Sequence, residues 1–195
     1  MRFGLLLLLV IFACAPSAHA SSITDSWSVT GTGISGSGTI TLTTTANPAV
    51  DDITGITGFF STTGGGGFSG PITGLNPGSY SSTAPTTSLL ATYDNLFYPS
   101  GSAPVCFGGT SGPANVLDVC GVDFLVTGGY EVNIFGMDNT NGYQLTDGQQ
   151  SGRFFEASHP VSFSAIPEPS SSLLLGTGLG LTVIRFRKVA ARLRF

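Results

Sequence analysis

Alternation of apolar and polar side chains is the sequence feature that most restricts how this chain can fold. Thr39 to Thr43 alternates threonine with isoleucine and leucine, and Tyr130 to Phe135 alternates tyrosine, valine and isoleucine with glutamate, asparagine and phenylalanine. A period of two places alternate side chains on opposite faces of a strand. No long segment between Ser21 and Ala165 keeps the i, i+3, i+4, i+7 apolar spacing of an amphipathic helix. The sequence therefore predicts an all-β body.

Turn signals divide this body into short strands. Gly128-Gly129 separates a strand over Val122 to Thr127 from the segment Tyr130 to Phe135, and Asn141-Gly142 favours a type I′ hairpin turn. Three more strands are expected at Tyr143 to Thr146, Arg153 to Ala157 and Val161 to Ala165. Short strands joined by tight turns are typical of antiparallel sandwiches and small barrels. We predict a jelly-roll-like antiparallel β-sandwich that forms a single domain over residues 21–165.

Residues 1–20 have the layout of a secretory signal peptide. Arg2 precedes an apolar block from Leu5 to Phe12, and the segment ends with the small-residue site Ala18-His19-Ala20. Cleavage after Ala20 would leave Ser21 as the first residue of the exported protein. This pattern implies the Sec machinery and a signal peptidase as transient partners.

Residues 166–195 form a segment of three pieces. The triplet Pro167, Glu168 and Pro169 loses backbone donors and stays extended, because proline removes the amide proton and disfavours helix in its predecessor. The uncharged apolar stretch from Ser170 to Ile184 can cross hydrocarbon only as a helix. A basic tail follows, and its positive charge favours the cytoplasmic side: Arg185, Arg187, Lys188, Arg192 and Arg194.

This end of the chain resembles the PEP-CTERM sorting signal of bacterial exported proteins. The resemblance implies that the protein is held in the inner membrane by its C-terminal transmembrane helix, processed near the triplet by an exosortase, and delivered to the cell surface or extracellular space. It also implies an association with exopolysaccharide or biofilm. An ordinary membrane anchor that is never cut is the alternative reading of the same residues.

Two internal stretches extend the resemblance into the body. The segments from Asp94 to Pro99 and from Leu117 to Phe124, together with repeated Ile-Thr-Gly units, are similar to a body found among PEP-CTERM proteins of unassigned activity. This similarity implies a compact β domain and carries over no reaction.

The body is strongly acidic once both ends are set aside. Arg153 is its one cation against ten acidic residues, a net charge of −9: Asp25, Asp51, Asp52, Asp94, Asp118, Asp123, Glu131, Asp138, Asp147 and Glu156. Nucleic acids and anionic lipid headgroups require clustered cations, so neither is expected as a partner of the body.

Cys106 and Cys120 are the two cysteines that remain after removal of the signal peptide. An even cysteine count in an exported domain favours a disulfide. On the chain-entropy model, a bridge that closes a loop of about 15 residues stabilises the fold by roughly 3 kcal/mol.

The sequence offers little catalytic chemistry. His159 is the only histidine of the body and no nucleophile elbow occurs, so we predict no catalytic residue, no metal and no cofactor. Two carboxylate pairs keep a glycosidase open as an alternative, Asp118 with Asp123 and Glu131 with Glu156. Asp51-Asp52 and Asp138-Asn139-Asn141 offer oxygens to Ca²⁺, but turn chemistry explains both stretches more simply.

Carbohydrate binding is the stronger functional alternative. Sugars stack on exposed aromatic rings, and Trp27, Tyr98 and Tyr130 are the candidates for such contacts. The primary expectation remains a non-enzymatic, exported structural protein of the surface or extracellular matrix, with exopolysaccharide as an optional partner.

Overall fold

The structure is a computed structural model that describes residues 21–63, 67–78, 80–81, 83–88, 91–101, 106, 115–137, 142–149, 153–154 and 159–167. These residues form twelve strands: β1 (Ser22–Gly31), β2 (Ile34–Thr44), β3 (Asp51–Thr62), β4 (Phe68–Leu75), β5 (Thr86–Thr87), β6 (Thr92–Tyr93), β7 (Leu96–Phe97), β8 (Val122–Val126), β9 (Tyr130–Gly136), β10 (Tyr143–Gln149), β11 (Arg153–Phe154) and β12 (His159–Pro167). The predicted all-β body is confirmed.

Eight of these strands close into one antiparallel barrel. The neighbours run β1, β2, β3, β4, β8, β9, β10 and β12, and β12 pairs again with β1. The strand β10 makes the closure, because Tyr143 pairs with Gly136 of β9 on one side and with Val161 of β12 on the other. Among these eight strands, spatial neighbours follow the chain order, as in an up-and-down barrel. The prediction of a jelly-roll-like sandwich was wrong.

The physical reason for the correction lies in the length and bending of the first strands. β1, β2 and β3 contain 10, 11 and 12 residues, and the pairing of β2 with β3 shifts register between Thr41 and Leu42. A second shift between Ile72 and Gly74 bends β4 against β8. Bulges of this kind increase twist and curvature, so long strands coil round until the sheet meets itself.

Inward-facing side chains from all eight strands fill the barrel. The Trp27 ring lies 5.9 Å from the Phe124 ring and 6.5 Å from the Phe163 ring, and Phe60 lies 5.9 Å from Phe124, all measured between centroids. The core also contains Val29, Ile40, Leu42, Ile53, Val122, Val132, Ile134 and Leu145. The interior is therefore a packed core around aromatic rings.

Trp27 fits because β2 carries glycine at the positions that face it. Gly38 is the register partner of Trp27, and a Cβ atom on Gly36 would lie 3.1 Å from the indole. The indole nitrogen of Trp27 donates a hydrogen bond of 3.1 Å to the Thr57 carbonyl on β3. A Cβ atom on Gly38 would lie 1.9 Å from that same carbonyl oxygen. Large and small residues thus alternate across the barrel interior.

The hairpin between β8 and β9 forms as predicted. Gly128 and Gly129 both have positive φ angles, 99° and 77°, which residues with a side chain rarely adopt. The strand β12 ends at Pro167, which pairs with Asp25 of β1. In the described part of the chain, no helix has both the length and the apolar character needed to cross a membrane. Glu168, Pro169, the apolar stretch and the basic tail lie outside the described residues.

The close approach at Gly38 gives a direct test of the packing. We expect Gly38→Ala to lower the free energy of unfolding by about 2 kcal/mol or more, because the new methyl group overlaps the Thr57 carbonyl. Gly55→Ala is the matched control, since a Cβ atom there approaches the Thr41 hydroxyl at 3.3 Å and no backbone atom within 4 Å. Its effect should stay below about 1 kcal/mol in urea unfolding. Equal losses for the two variants would contradict the described packing.

Candidate functional site

A layer of buried polar side chains lies outside the barrel wall formed by β8 and β9. Asp123, Glu131 and Asn133 alternate with the inward-facing core residues of these strands, yet they are 0%, 2% and 1% exposed. The segment between β4 and β8, in its described parts, covers them. We call this set the polar layer: Tyr93, Asp94, Asn95, Asp118, Asp123, Glu131 and Asn133.

Asn95 joins the covering segment to the barrel through both its backbone and its side chain. Its backbone amide donates to the Gly121 carbonyl at 3.0 Å, and its carbonyl accepts from the Ile53 amide at 2.8 Å. Its side-chain oxygen accepts from the Asp123 amide at 3.0 Å, and its side-chain nitrogen donates to the Asn76 carbonyl at 3.3 Å. With a φ of 54°, Asn95 is the only non-glycine residue with a positive φ among those described. Asparagine tolerates this conformation better than most residues.

Asp94 and Asp118 form the first carboxyl pair of the polar layer. One oxygen of Asp118 accepts from the amides of Cys120 and Gly121 at 2.9 and 3.0 Å, and one oxygen of Asp94 accepts from the Leu96 amide at 3.3 Å. Burial raises the pKa of both carboxyls, and the negative charge of Asp118 raises the pKa of Asp94 further. Each carboxyl of this pair disfavours ionisation of the other, so the two do not ionise independently.

Asp123 and Glu131 form the second pair. Burial and then the negative charge of Glu131 raise the pKa of Asp123 to about 9, while the Asn76 side chain acts in the opposite direction. No hydrogen bond of good geometry reaches either carboxyl oxygen of Asp123. An ionised carboxylate without donors is costly to bury, so Asp123 stays protonated at neutral pH. Burial, followed by the charges of Asp123 and Glu131, raises the pKa of Tyr93 to about 12, and its hydroxyl donates to the Pro77 carbonyl at 2.7 Å.

The polar layer predicts a specific dependence of stability on pH. An aspartate that is protonated when folded and ionised when unfolded releases its proton on unfolding, so raising the pH favours the unfolded state. We expect the free energy of unfolding to fall between about pH 6 and pH 8, by up to ~1.4 kcal/mol per pH unit for each such group.

The variant Asp123→Asn removes one of these groups and should flatten that profile in urea unfolding. Asp52→Asn is the control, because burial raises the pKa of the less deeply buried Asp52 by less than that of Asp123. An unchanged slope in Asp123→Asn, or stability that rises across this range, would contradict the protonated state of Asp123.

The predicted disulfide between Cys106 and Cys120 is confirmed. The two Cα atoms lie 5.7 Å apart across a sequence separation of 14, and both residues are buried. A carboxylate oxygen of Asp94 and the two sulfur atoms all lie within 4.8 Å of one another. Because the sulfurs are bonded to each other, they do not provide the thiolates that a metal site would need. The bridge links two parts of the covering segment beside Asp94, just before β8 begins.

Removal of the bridge gives a third test. We expect the double variant Cys106→Ser/Cys120→Ser to lose about 3 kcal/mol of unfolding free energy, because its unfolded chain is no longer constrained. The wild-type protein unfolded in reductant should lose a similar amount, whereas the double variant should be insensitive to reductant. Equal stability of the oxidised and reduced proteins would show that the covering segment is held by the polar layer alone.

The structure separates the residues that the sequence grouped for glycan binding. Trp27 lies in the barrel core with 2% of its surface exposed, and Tyr98 is buried in a small cluster with Leu96. Tyr130 is half-buried and stacks on Phe68, with ring centroids 4.1 Å apart. These three residues form no common exposed strip.

The carboxylates form different pairs from those that the sequence suggested for a glycosidase. Asp118 lies with Asp94, Asp123 lies with Glu131, and Glu156 is outside the described residues. Asn95 and Asp94 were missed as site residues. The available signal was a charged and an amide side chain directly before the apolar run from Leu96 to Tyr98. Polar residues in this position predict a surface turn. The sequence alone does not show that they are buried against another part of the chain.

Comparison of the chain with models of protein families, with curated proteins and with solved structures finds no match.

Proposed function

We propose that this protein is exported, and that its barrel is a non-enzymatic structural domain of the cell surface or extracellular matrix. The observation that carries the proposal is the buried disulfide between Cys106 and Cys120. Disulfides persist in oxidising compartments and are rare in the cytosol. A signal peptide over residues 1–20 would bring the body to such a compartment.

The positions of the first and last residues of the barrel support sorting by the C-terminal segment. β1 and β12 are antiparallel neighbours, so the start of β1 and the end of β12 lie at the same end of the barrel, where Asp25 pairs with Pro167. The chain therefore enters and leaves the barrel on one side. A membrane-held stem that begins at the triplet would leave the rest of the barrel directed away from the membrane. Exosortase action near Pro167, Glu168 and Pro169 would then release it.

The closed sheet also suits a protein outside the cell. Exposed strand edges promote aggregation, and in a closed barrel the long strands have no exposed edge. An acidic body of net charge −9 adds solubility. Exopolysaccharide remains an optional partner.

Burial of the carboxylates argues for a structural role rather than catalysis. Asp118 and Asp123 are 3% and 0% exposed, and Glu131 is 2% exposed. A glycosidase needs its two carboxylates on either side of a substrate that enters a cleft. Substrate access to the polar layer would require displacement of the segment that Asn95 holds in place.

Mass spectrometry of both ends of the mature protein tests the proposal. We expect a first residue of Ser21 and a C-terminus near the triplet, with the apolar stretch and basic tail removed. Cells that lack the exosortase should retain the full C-terminus in the membrane fraction, as should a variant in which alanine replaces Pro167, Glu168 and Pro169. A trimmed product in those cells, or only untrimmed protein in wild-type cells, would contradict the proposal.

A further inference from the structure

The disulfide and the carboxyl group beside it bring three side chains of metal-ligating type to one buried point. A carboxylate oxygen of Asp94 and the sulfur atoms of Cys106 and Cys120 all lie within 4.8 Å of one another. The three residues are 0%, 2% and 1% exposed. Among the residues that the structure describes, no other three cysteine, histidine, aspartate or glutamate side chains offer ligand atoms so close together. We call this set the sulfur–carboxylate cluster.

The Asp94 carboxyl group is held in place through one oxygen and has the other available. Its Oδ1 atom accepts from the Leu96 amide at 3.3 Å, whereas no hydrogen bond of good geometry reaches its buried Oδ2 atom. A buried carboxyl oxygen without a donor is costly, and coordination of a metal ion is one way to satisfy it. On the other side of the cluster, Asp118 accepts from the Cys120 amide at 2.9 Å and so fixes the backbone that carries one of the sulfurs.

We propose that the sulfur–carboxylate cluster binds Zn²⁺ when the disulfide is reduced, with Cys106, Cys120 and Asp94 as the ligands. Reduction by a dithiol transfers two electrons and two protons to the bridge, which yields two thiols and the disulfide of the reductant. Zn²⁺ then binds with release of the two thiol protons, because the thiolate is the form that ligates metal.

The spacing of the cluster suits tetrahedral zinc. With Zn–S bonds of about 2.3 Å and a Zn–O bond of about 2.1 Å, tetrahedral geometry places the ligand atoms roughly 3.5–3.8 Å from one another. The three atoms already lie within 4.8 Å, so reduced side chains reach this arrangement by rotation without a shift of the strands. A water molecule takes the fourth position, as in other zinc sites with three protein ligands. Ca²⁺ and Mg²⁺ fit less well, since they take oxygen ligands and gain little from two thiolates.

The proposed site gives the covering segment a cross-link in both redox states. In oxidised protein the covalent bridge joins Cys106 to Cys120, and in reduced protein the metal ion joins the same two residues. Oxidation of the thiolates back to the disulfide releases Zn²⁺, because the sulfurs then no longer provide the negative charge that binds it. This property goes beyond the proposed structural role and does not depend on how the protein is sorted.

Zinc titration of the mature protein, purified from the cells that export it, tests the proposal. A phosphine reduces the bridge, since a dithiol in solution would itself compete for the metal, and a chromophoric chelator reports free Zn²⁺. We expect one Zn²⁺ per reduced protein with a Kd of about 1 μM or tighter, and at least ~100-fold weaker binding to the oxidised protein. Reduced protein that binds Zn²⁺ no more tightly than oxidised protein would overturn the proposal.

Two aspartate variants locate the carboxylate ligand. Asp94→Asn should weaken Zn²⁺ binding to the reduced protein by about 10-fold or more, because an amide oxygen is a weaker ligand than a carboxylate. Asp52→Asn removes a carboxylate outside the cluster and should change the affinity by less than about 2-fold. Equal effects of the two variants would show that the metal responds only to the general negative charge of the body.

Urea unfolding in the phosphine provides a readout that needs no metal indicator. Zn²⁺ binds the folded state, so it should raise the urea midpoint of reduced wild-type protein. The variant Cys106→Ser/Cys120→Ser is the matched control, because it also lacks the bridge, and its midpoint should not move with Zn²⁺. Equal shifts in the two proteins, or a shift in neither, would contradict the thiolate ligands. All of these measurements are independent of C-terminal processing, so their failure is distinct from failure of the proposed sorting.

Discussion

Closure of the sheet on itself is the constraint on which the rest of the structure depends. β10 completes the barrel by pairing with β9 and β12, and β12 returns to β1. Closure gives the inward-facing residues of eight strands one shared core, in which Trp27 packs across the glycines of β2. It also places the start of β1 and the end of β12 at the same end of the barrel.

The polar layer shows how a strongly acidic body accommodates carboxyl groups that water does not reach. Burial raises the pKa of Asp94, Asp118 and Asp123, and a neighbouring carboxyl raises the pKa of Asp94 and of Asp123 further. The formal charge of the body therefore overstates its charge in the folded state. The residues that fix the covering segment are Asn95, through its four hydrogen bonds, and the disulfide. Apolar packing adds to these links, since Phe97 and Leu117 of the same segment are buried in the core.

Local features of the fold were predictable from the sequence. Alternation gave the all-β class, Gly128-Gly129 gave the turn between β8 and β9, and the two cysteines of the body gave the disulfide. These features depend on residues close in sequence or, for the disulfide, on the number of cysteines.

Long-range features were not predictable in the same way. Alternation looks identical in a sandwich and in a barrel, and the pairing of β1 with β12 joins residues such as Trp27 and Ala165 that no local pattern links. The same limit applies to the candidate sites. Trp27 was a candidate for glycan contact because a lone tryptophan does not reveal which face of the sheet it occupies. Asp94 and Asp118 meet only because the covering segment folds back onto β8 and β9.

Backbone NMR of the oxidised protein tests closure most directly. Through-space contacts should connect β10 with β9 over Gly136–Tyr143, β10 with β12 over Tyr143–Val161, and β12 with β1 over Trp27–Ala165. The amides along these ladders should exchange with solvent as slowly as those between β1 and β2, because a closed barrel leaves no frayed edge at these positions. Absence of the contacts of β10 with β9 or with β12, together with fast exchange along the unpaired strands, would show an open sheet and contradict the barrel.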